Sequence, residues 1–511
     1  MSQHLITITV LLPVLGALIQ AFLPKSLAGD REGMNGGTLG RWLALVCSLG
    51  ASITAVVLVA SMRTQVPDLQ ASETYPWIGS YAISYDMGLD GLNALLVLLV
   101  ATLFPILIAA EWNQKTGVRG MHGLFLILQA SFFGTVCAQD IFLQFFFWSI
   151  TCLPFYFLIG IWGGEKRESA AFHSIVSASM GNALVFGALI LIYYAVDPHT
   201  FSLRELAGGR LNGKVFEILG FDCSVSTVSF ILISVGLALR APIWPLHGWF
   251  TRAAKEAPPS VFIALSAVTV PVAIYIFMRL SYSLFPETLP WAGQFIVSVG
   301  AINLIMGGVC AVAQNGLRPL MAFICLAEVG FVLVGVGSLS SAGVVGAVYQ
   351  EMVLGFSVAG FGLFSGIIAE RAGNSEFKDV KGLPLLGGIA TRAPAIALVA
   401  GVIVASVLGF PGSGGFVGHS LMIIGSYAMH PVTLALAGAS LLLATYYLFT
   451  MYRCLFLGKS SAGAREFADL TMREKTYLLP VVLGLLFCGL YPKPLLELVR
   501  PTVLTLLSTV K

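Results

Sequence analysis

Long apolar runs recur along this chain, and they constrain its fold more than any other feature. A helix needs about 20 apolar residues to cross the hydrocarbon core of a bilayer. Only 10% of the 511 residues are charged, whereas soluble proteins carry about 25%. We therefore predict an all-α polytopic membrane protein. Its fourteen predicted transmembrane segments are residues 4–23, 41–61, 90–110, 120–138, 140–162, 170–195, 225–255, 259–283, 291–312, 317–337, 343–370, 393–428, 431–456 and 476–491.

The seventh of these segments contains helix-breaking residues near its centre. Arg240 is followed by Pro242 and Pro245, and His247 comes two residues later. Each proline removes a backbone donor and clashes with the preceding turn, so a continuous helix cannot pass. Broken helices occur inside a bilayer only where the freed backbone is buried in protein or lines a wet cavity. We therefore expect a functional site at this break.

A second break lies in the twelfth segment, in the stretch Gly409-Phe-Pro-Gly-Ser-Gly-Gly-Phe-Val-Gly-His419. It comes five segments after the first, and because five is odd it has the opposite orientation. Inverted repeats, each with one discontinuous helix, are typical of ion and solute transporters; the alternative is two unrelated kinks. We predict three N-terminal helices in residues 1–115, five-helix repeats at 116–285 and 286–456, and a last helix with a tail at 457–511.

Lysine and arginine fall mostly in one of the two alternating sets of loops, and by the positive-inside rule that set faces the cytoplasm. We therefore predict that both termini lie outside, in a membrane such as the bacterial inner membrane. Residues 1–23 lack the basic region and cleavage site of a signal peptide, so we interpret them as the first helix. The richer set of loops holds Lys25, Arg31, Arg41, Lys115, Arg119, Lys166, Arg167, Arg252, Lys255, Arg318, Arg371, Lys378, Lys381, Arg392, Arg453, Lys459, Arg465, Arg473 and Lys475. The opposite loops and the tail hold Arg63, Arg204, Arg210, Lys214, Arg279, Lys493, Arg500 and Lys511.

Ionisable residues inside the predicted helices are few, and they are the candidates for moving protons. Arg240 stays protonated at physiological pH, so it can hold water, attract an anion or act on a neighbour through its field. Alternatively, it caps the carbonyls that Pro242 and Pro245 leave free.

Two carboxyls and two imidazoles complete the candidate proton path. Burial in hydrocarbon favours the neutral form of a carboxyl, so Glu328 and Glu351 are either proton-exchanging groups or protonated structural ones. His247 and His419 follow the two breaks, and an imidazole titrates near neutral pH. For both histidines, proton relay and simple interhelical hydrogen bonding are alternative interpretations. Arg318, at the start of the tenth segment, is a further candidate or only a positive-inside anchor.

Motifs for a cofactor, a metal or a nucleotide do not stand out in the sequence. Neither a Gly-rich nucleotide loop nor a His/Cys cluster with metal spacing is evident. The eight cysteines form no CxxC pair, and we interpret them as small buried groups rather than disulfide or metal ligands. The net charge of +3 is small. We therefore predict no cofactor, no metal site, no redox centre in this chain and no nucleic-acid partner.

Several motifs resemble those of the antiporter-like membrane subunits of proton-translocating NADH:quinone oxidoreductase (respiratory complex I), especially the subunit M, or chain 4, group. These motifs are Gly88-Leu-Asp-Gly-Leu-Asn93, Phe146-Phe-Trp148, Pro154-Phe-Tyr-Phe-Leu-Ile-Gly-Ile-Trp-Gly163, Pro245-Leu-His-Gly-Trp249, Ala257-Pro258, Gly330-Phe-Val-Leu333 and Phe410-Pro-Gly-Ser-Gly-Gly-Phe-Val-Gly418. The resemblance implies fourteen helices with two inverted five-helix repeats. It also implies that the chain works beside other membrane-arm subunits and is connected, through the complex, to a peripheral redox arm.

The chain departs from this family at most of the family's proton-path positions. The family's Glu on helix five and Lys on helix seven correspond to Ser149 and Arg240, and the Lys on helix eight corresponds to Pro271. The remaining three family positions, a His on helix ten, a His on helix eleven and a Glu on helix twelve, correspond to Glu328, Leu354 and His419. Of the titratable positions, only His247 matches.

The resemblance therefore implies a membrane-arm subunit that couples electron transfer in its partners to proton translocation, through altered residues. We expect protons to pass by Glu328, Glu351 and His419, with Arg240 as a fixed field and His247 as a candidate exit group. The alternatives are a non-pumping structural subunit of a related complex, or a subunit of a cation/proton antiporter or inorganic-carbon uptake complex.

Overall fold

The computed structural model describes residues 4–24, 39–114, 116–218, 221–373, 376–377, 386–427, 431–458 and 467–510, and these are mainly helical. The helices are α1 (Leu5–Phe22), α2 (Leu39–Ala60), α3 (Ala94–Ala110), α4 (Val118–Cys137), α5 (Ile141–Ile150), α6 (Cys152–Trp162), α7 (Arg167–Ala195), α8 (Leu203–Leu206), α9 (Val225–Ala238), α10 (Gly248–Glu256), α11 (Pro259–Ile263), α12 (Val270–Leu284), α13 (Leu289–Val312), α14 (Leu317–Gly337), α15 (Ser341–Ala372), α16 (Pro394–Val407), α17 (Gly414–Tyr427), α18 (Pro431–Phe456), α19 (Met472–Leu490) and α20 (Lys493–Ser508). The strands are β1 (Gln70–Ile78), β2 (Ile83–Leu89), β3 (Val215–Ile218) and β4 (Phe221–Ser224).

Each predicted transmembrane segment coincides with a helix or with a pair of successive helices. Within the described residues, 11 helical stretches are long and apolar enough to cross a membrane, and up to 12 if α19 and α20, bent by 70°, form one span. The shorter apolar helices α9 and α16 precede the two breaks. The multi-pass membrane fold is thus confirmed, while the number of fourteen crossings stays a prediction.

Three long helical stretches form the centre of the bundle. In their most apolar windows, 100% of the residues are buried in the stretch from α11 to α12, 94% in α14 and 89% in α15. The corresponding share is only 33–39% in α1, α2, the α5–α6 stretch, α7 and α18, so these helices form the outside. Most side chains of α14 and α15 therefore contact other parts of the chain.

Both predicted breaks are present. The first lies between α9 and α10, and the second between α16 and α17. At the second break, Gly409 and Gly412 have φ angles of +65° and +90°. Only glycine adopts this left-handed region without steric cost, so the Gly-Phe-Pro-Gly sequence is what allows the chain to turn within the bundle.

Glycines allow α13 and α14 to pack closely, and the contacts between them show how the two helices run relative to each other. A Cβ on Gly293 would lie 2.8 Å from the Gly337 carbonyl, and one on Gly300 would lie 2.8 Å from that of Gly330. Since the residue numbers rise on α13 while they fall on α14, the two helices run antiparallel. Backbones approach this closely in membrane bundles only where side chains are small.

Two antiparallel hairpins, β1–β2 and β3–β4, were not part of the all-α prediction. In the first, Tyr75 pairs with Tyr85. The Glu73 carboxylate at its edge accepts hydrogen bonds from the backbone amide of Ile6, at 2.8 Å, and from the Thr7 hydroxyl. A carboxylate placed here satisfies amides at the start of α1 that have no helical partner.

The structure corrects one assignment made from the sequence. Arg279 does not lie in a loop: it is within α12, 5% exposed, and donates to the Asp90 carboxylate and to the Gln139 side chain. Asp90 also accepts from the backbone amide of Leu92 at 2.9 Å. This ion pair joins the start of α3, the α4–α5 turn and α12 at one level of the bundle.

The orientation and the domain boundaries remain predictions. Of the basic residues that support the orientation, eight lie outside the described residues: Lys25, Arg31, Lys115, Lys378, Lys381, Lys459, Arg465 and Lys511.

We predict that Asp90→Asn destabilises the protein by about 3–5 kcal/mol, because it leaves the Arg279 charge buried without its counter-ion. Chemical unfolding in detergent would measure the loss. The exposed pair Lys493–Glu497, one turn apart on α20, is the control, and Glu497→Gln should cost at most about 0.5 kcal/mol. Equal losses of unfolding free energy in the two variants would contradict a larger contribution from the buried pair.

Candidate proton-transfer site

Three helices bring Glu328, Gln350 and His419 together inside the bundle. They lie on α14, α15 and α17 respectively, and all three side chains are buried. His419 reaches this place because the break at 408–413 restarts the chain as α17, which packs closely on α15. The His419 ring stacks on Phe331, one turn from Glu328, with ring centroids 4.4 Å apart.

The three side chains form a triangle of polar groups with short distances between each pair. The Gln350 amide nitrogen donates to Glu328 Oε2 at 2.8 Å, and His419 Nε2 lies 3.1 Å from the same oxygen. The Gln350 nitrogen is also 3.3 Å from His419 Nε2. Glu328 thus has two partners on one oxygen, and both come from other helices.

This geometry is compatible with two positions of one proton. If His419 Nε2 carries the proton, it donates to a Glu328 carboxylate. If Glu328 carries it, the carboxyl donates to the unprotonated His419 Nε2, and Gln350 keeps its hydrogen bond to Glu328 Oε2. Neither state requires a heavy atom to move far, so the triangle is able to pass a proton between a carboxyl and an imidazole.

Several polar atoms around this triangle lack a hydrogen-bond partner among the described residues. They include His419 Nδ1, Gln350 Oε1 and both carboxylate oxygens of Glu351. Glu351 follows Gln350 directly on α15 and is fully buried, but it does not join the triangle. Buried polar groups without partners in a membrane bundle are points where water or a proton can be received.

Glycines hold the triangle in place. A Cβ on Gly418 would lie 2.1 Å from Gln350 Oε1, and a Cβ on Gly409 would lie 2.8 Å from His419 Nδ1. A Cβ on Gly415 would lie 1.8 Å from the Ser406 carbonyl oxygen on α16. The two halves of the broken helix are therefore in contact at a glycine, and this contact sets the orientation of His419.

The first break is built differently. Arg240 is buried and donates to Thr151 Oγ1 at 2.6 Å and to Cys152 Sγ at 2.7 Å, with its guanidinium 4.2 Å from the centre of the Trp148 ring. The backbone groups at the break have other partners. Asn303 Nδ2 donates to the Pro242 carbonyl, and Asn303 Oδ1 accepts from the Trp244 amide.

Arg240 therefore does not cap the freed carbonyls, which was the alternative left open by the sequence. Besides the contacts of Asn303, the Leu239 carbonyl accepts from the Ser177 hydroxyl at 2.8 Å. This leaves the guanidinium free to interact with α5 and α6.

The remaining sequence candidates lie apart from the triangle. His247 is half-buried, packs edge-on against Phe323, and its Nδ1 has no partner in the described residues. Arg318 begins α14, about 15 Å from Glu328 at the rise of a helix. It lines a polar cavity of about 670 Å³ together with Glu111 and Glu370.

Three of the altered family positions, Ser149, Pro271 and Leu354, carry no ionisable group in this chain. Ser149 has a buried hydroxyl without a partner among the described residues. Pro271 is the second residue of α12, which directly follows a π-helical turn, Ala264–Thr269. Since proline lacks an amide hydrogen, the wider turn before it accommodates the missing bond. Leu354 is fully buried among apolar residues of the core.

The central part of this chain matches a known protein family. Residues 138–445, more than half of the chain, match the family described as NADH:quinone oxidoreductase/Mrp antiporter, TM. The chain belongs to this family. The resemblance inferred from the motifs at both breaks is thereby confirmed.

Relatives in this family match the chain over nearly its whole length. NADH-quinone oxidoreductase subunit M of Rhodobacter capsulatus is 28% identical over 507 residues, 98% of this chain and 96% of that protein. The subunit M of Escherichia coli K12 is 28% identical over 480 residues, 89% and 90% of the two chains.

Solved structures show the same fold. A chain of respiratory complex I from Thermus thermophilus has a TM-score of 0.86 at 23% identity, covering 99% of this chain and 100% of that one. A chain of the Mrp complex from Dietzia sp. DQ12-45-1b has a TM-score of 0.83 at 20% identity, with 100% and 99% covered. At these identities the two matches bear on the fold of the chain.

Sequence inspection missed four residues that shape these sites. Gln350, Asn303, Cys152 and the Asp90 partner of Arg279 are polar or ionisable residues in or beside apolar segments. Gln350 is the neighbour of Glu351, which had been selected for its charge alone. A search for all polar residues in apolar segments, charged or not, would have found them.

We predict that Gly415→Ala destabilises the protein by about 1–3 kcal/mol, because its Cβ forces α16 and α17 apart. Unfolding in detergent would measure this change. Gly438→Ala on α18 is the matched control, since its Cβ meets nothing within 4 Å, and there the substitution should be neutral or stabilising by up to about 1 kcal/mol. A Gly415→Ala protein as stable as the control would contradict the close contact between α16 and α17.

Proposed function

We propose that this chain is a membrane-arm subunit of a complex I-type NADH:quinone oxidoreductase and couples electron transfer in partner subunits to proton translocation. The observation that carries this proposal is the buried Glu328–Gln350–His419 triangle at the second break, in a chain whose full-length relatives are named NADH-quinone oxidoreductase subunit M. Two groups able to exchange one proton, fixed at a discontinuity inside a membrane bundle, are the minimum a proton path needs.

The proton would pass between Glu328 and His419 as the bundle changes shape around the second break. Glu351, buried with both oxygens unpartnered in the described residues, would receive a proton from or deliver one to that pair. Arg240 would act as a fixed positive field at the first break, and His247 as an exit group at the end of the path.

The assembly proposed for this subunit follows from the family. Redox chemistry would take place in a peripheral arm reached through other membrane subunits, and the outer helices α1, α2 and α18 would face lipid or those subunits. From the distribution of lysine and arginine we propose that both termini face outward, across a membrane such as the bacterial inner membrane. The five-helix repeats would be 116–285 and 286–456, with a break in each.

A related function has a specific observation in its favour. The family description includes Mrp antiporters, and the Mrp chain has nearly the same fold. On that alternative the triangle would exchange a proton against a cation rather than use redox energy. A third possibility, a structural subunit that does not pump, would leave the triangle without any function in transport.

We predict that Glu328→Gln lowers the ratio of protons pumped to electrons transferred when the assembled complex is reconstituted in vesicles, because the amide accepts no proton. The control is Glu287→Gln, an exposed residue between α12 and α13, which should leave the ratio unchanged.

The same experiment separates the alternatives. A normal ratio in the Glu328→Gln complex would contradict the proposal and favour a structural subunit. Sodium- or potassium-dependent proton exchange without any electron donor, lost in Glu328→Gln, would instead favour the antiporter.

A further inference from the structure

An open groove lies between α9 and α13, beside the first break. α9 packs against α7 and α12, and α13 packs against α14 and α18, so a gap remains between α9 and α13 that α12 closes from behind. The cavity has a volume of about 560 Å³. Its rim carries large apolar side chains that are between 39% and 64% exposed: Ile231, Val235, Trp244, Trp291, Phe295 and Ile302. An exposed apolar patch of this kind marks a site where lipid or another molecule binds.

The lining of the groove offers almost no free hydrogen-bonding group. Nearly all of its side chains are aliphatic or aromatic. Ser234 is polar, but its hydroxyl donates to the Phe230 carbonyl at 2.6 Å. The backbone amide of Trp244, at the break, donates to Asn303 Oδ1 at 2.7 Å. A polar ligand would lose its hydrogen bonds to water without replacement here, so the groove selects a hydrocarbon chain.

The length of the groove matches one leaflet of a bilayer. At the end near the β3–β4 hairpin, the rings of Phe230 and Trp291 meet with their centroids 6.0 Å apart. At the other end, the break meets α13 through the contact of Trp244 with Asn303. Trp291 and Asn303 are separated on α13 by about 18 Å at the rise of a helix. The hydrocarbon of one leaflet is about 15 Å thick, half of the bilayer core.

The width of the groove distinguishes a single chain from a helix. Over this length, a volume of about 560 Å³ corresponds to a mean cross-section of roughly 30 Å². A helix with its side chains is about 10–12 Å in diameter, which gives a cross-section of roughly 80–110 Å². A helix of another subunit could therefore cover the groove but could not enter it, whereas one extended acyl chain fits.

Charges of both signs lie at the end of the groove near the hairpin. Lys214 is exposed, and its carbonyl accepts from the backbone amide of Val225, the first residue of α9, at 2.9 Å. The exposed carboxylates Glu217 and Asp222 are paired residues of the β3–β4 hairpin. A cation next to carboxylates is complementary to a head group in which a phosphate is adjacent to an ammonium.

We propose that this groove binds one phospholipid with a zwitterionic head group. One acyl chain extends from Trp291 to Trp244 and packs on the first break. The phosphate lies against Lys214, and the ammonium lies against the carboxylates of the hairpin. Lipid, rather than another helix, thus completes the packing of α9 at the break. The proposal does not depend on the chain being a proton pump.

We predict that a phosphoethanolamine lipid with a diazirine at the end of one acyl chain labels the break, residues 241–246, when the assembled complex is irradiated in detergent. Mass spectrometry of peptides locates the label. Labelling of the break should saturate as lipid is added, whereas labelling of the exposed face of α18 should keep rising, because that face meets bulk lipid. A break without label in the wild type would overturn the proposal, since another subunit would then cover the groove.

A substitution that fills the groove tests the position of the chain. Ala238 on α9 lines the groove. Ala238→Phe should lower labelling of the break about tenfold, since expelling two methylene groups at about 0.8 kcal/mol each weakens binding by that factor. The matched control is Ala439→Phe, on the exposed face of α18, which should leave labelling of the break unchanged. Undiminished labelling in Ala238→Phe would contradict a chain in the groove.

The head group and the direction of the chain are tested without any change in the groove, which covers the case that Ala238→Phe fails to assemble. A diazirine next to the ester should label the first turns of α13 near Trp291 instead of the break, and the same labelling pattern from both lipids would contradict the extended chain. Lys214→Gln should lower saturable labelling about fivefold, because one lysine at a membrane surface contributes about 1 kcal/mol. Arg63→Gln, at an exposed residue after α2, should have no effect. Equal labelling in Lys214→Gln and Arg63→Gln would contradict the position of the phosphate.

Discussion

Ionisable groups inside this bundle must be neutralised or hydrogen-bonded by other parts of the chain, because hydrocarbon offers neither water nor counter-ions. Three buried clusters meet this requirement in different ways. Asp90 and Arg279 form a direct ion pair, and Arg240 is surrounded by Thr151, Cys152 and Trp148. The Glu328 carboxyl shares one oxygen with an amide and an imidazole. In the first cluster the charges are locked, whereas in the last a proton has two places to reside. We propose that this difference distinguishes a structural ion pair from a proton-transfer site.

The two helix breaks show the same requirement at the level of the backbone. At the first, the side chains of Asn303 and Ser177 bind the Trp244 amide and the Pro242 and Leu239 carbonyls, which lie at the break. The second break turns through left-handed glycines and brings α16 and α17 into direct contact. Because one amide and one hydroxyl bind the backbone there, the Arg240 guanidinium is left to interact with Thr151, Cys152 and Trp148. The break built from glycine instead places an imidazole against a carboxyl on the neighbouring helix.

Much of the fold was predictable because hydropathy and helix breakers act locally. Runs of apolar residues located the helices, and Pro242, Pro245 and the glycines near 409–415 located both breaks. The partners of each buried group were not predictable, since they come from distant parts of the chain: Asp90 and Arg279 are 189 positions apart. Arg279 was assigned to a loop because it lies near the end of an apolar segment. Gln350 and Cys152 were overlooked because the candidates were chosen by charge, and the sequence does not show which uncharged polar residues meet in space.

The central claim is that Glu328 changes its protonation as the complex works. Infrared difference spectroscopy of the assembled complex, triggered by electron donor, measures that change through the carboxyl C=O stretch. A carboxyl signal that appears in wild type and is missing in Glu328→Gln is the result predicted here. Identical difference spectra of the two proteins would contradict it, because Glu328 would then keep its proton state throughout electron transfer.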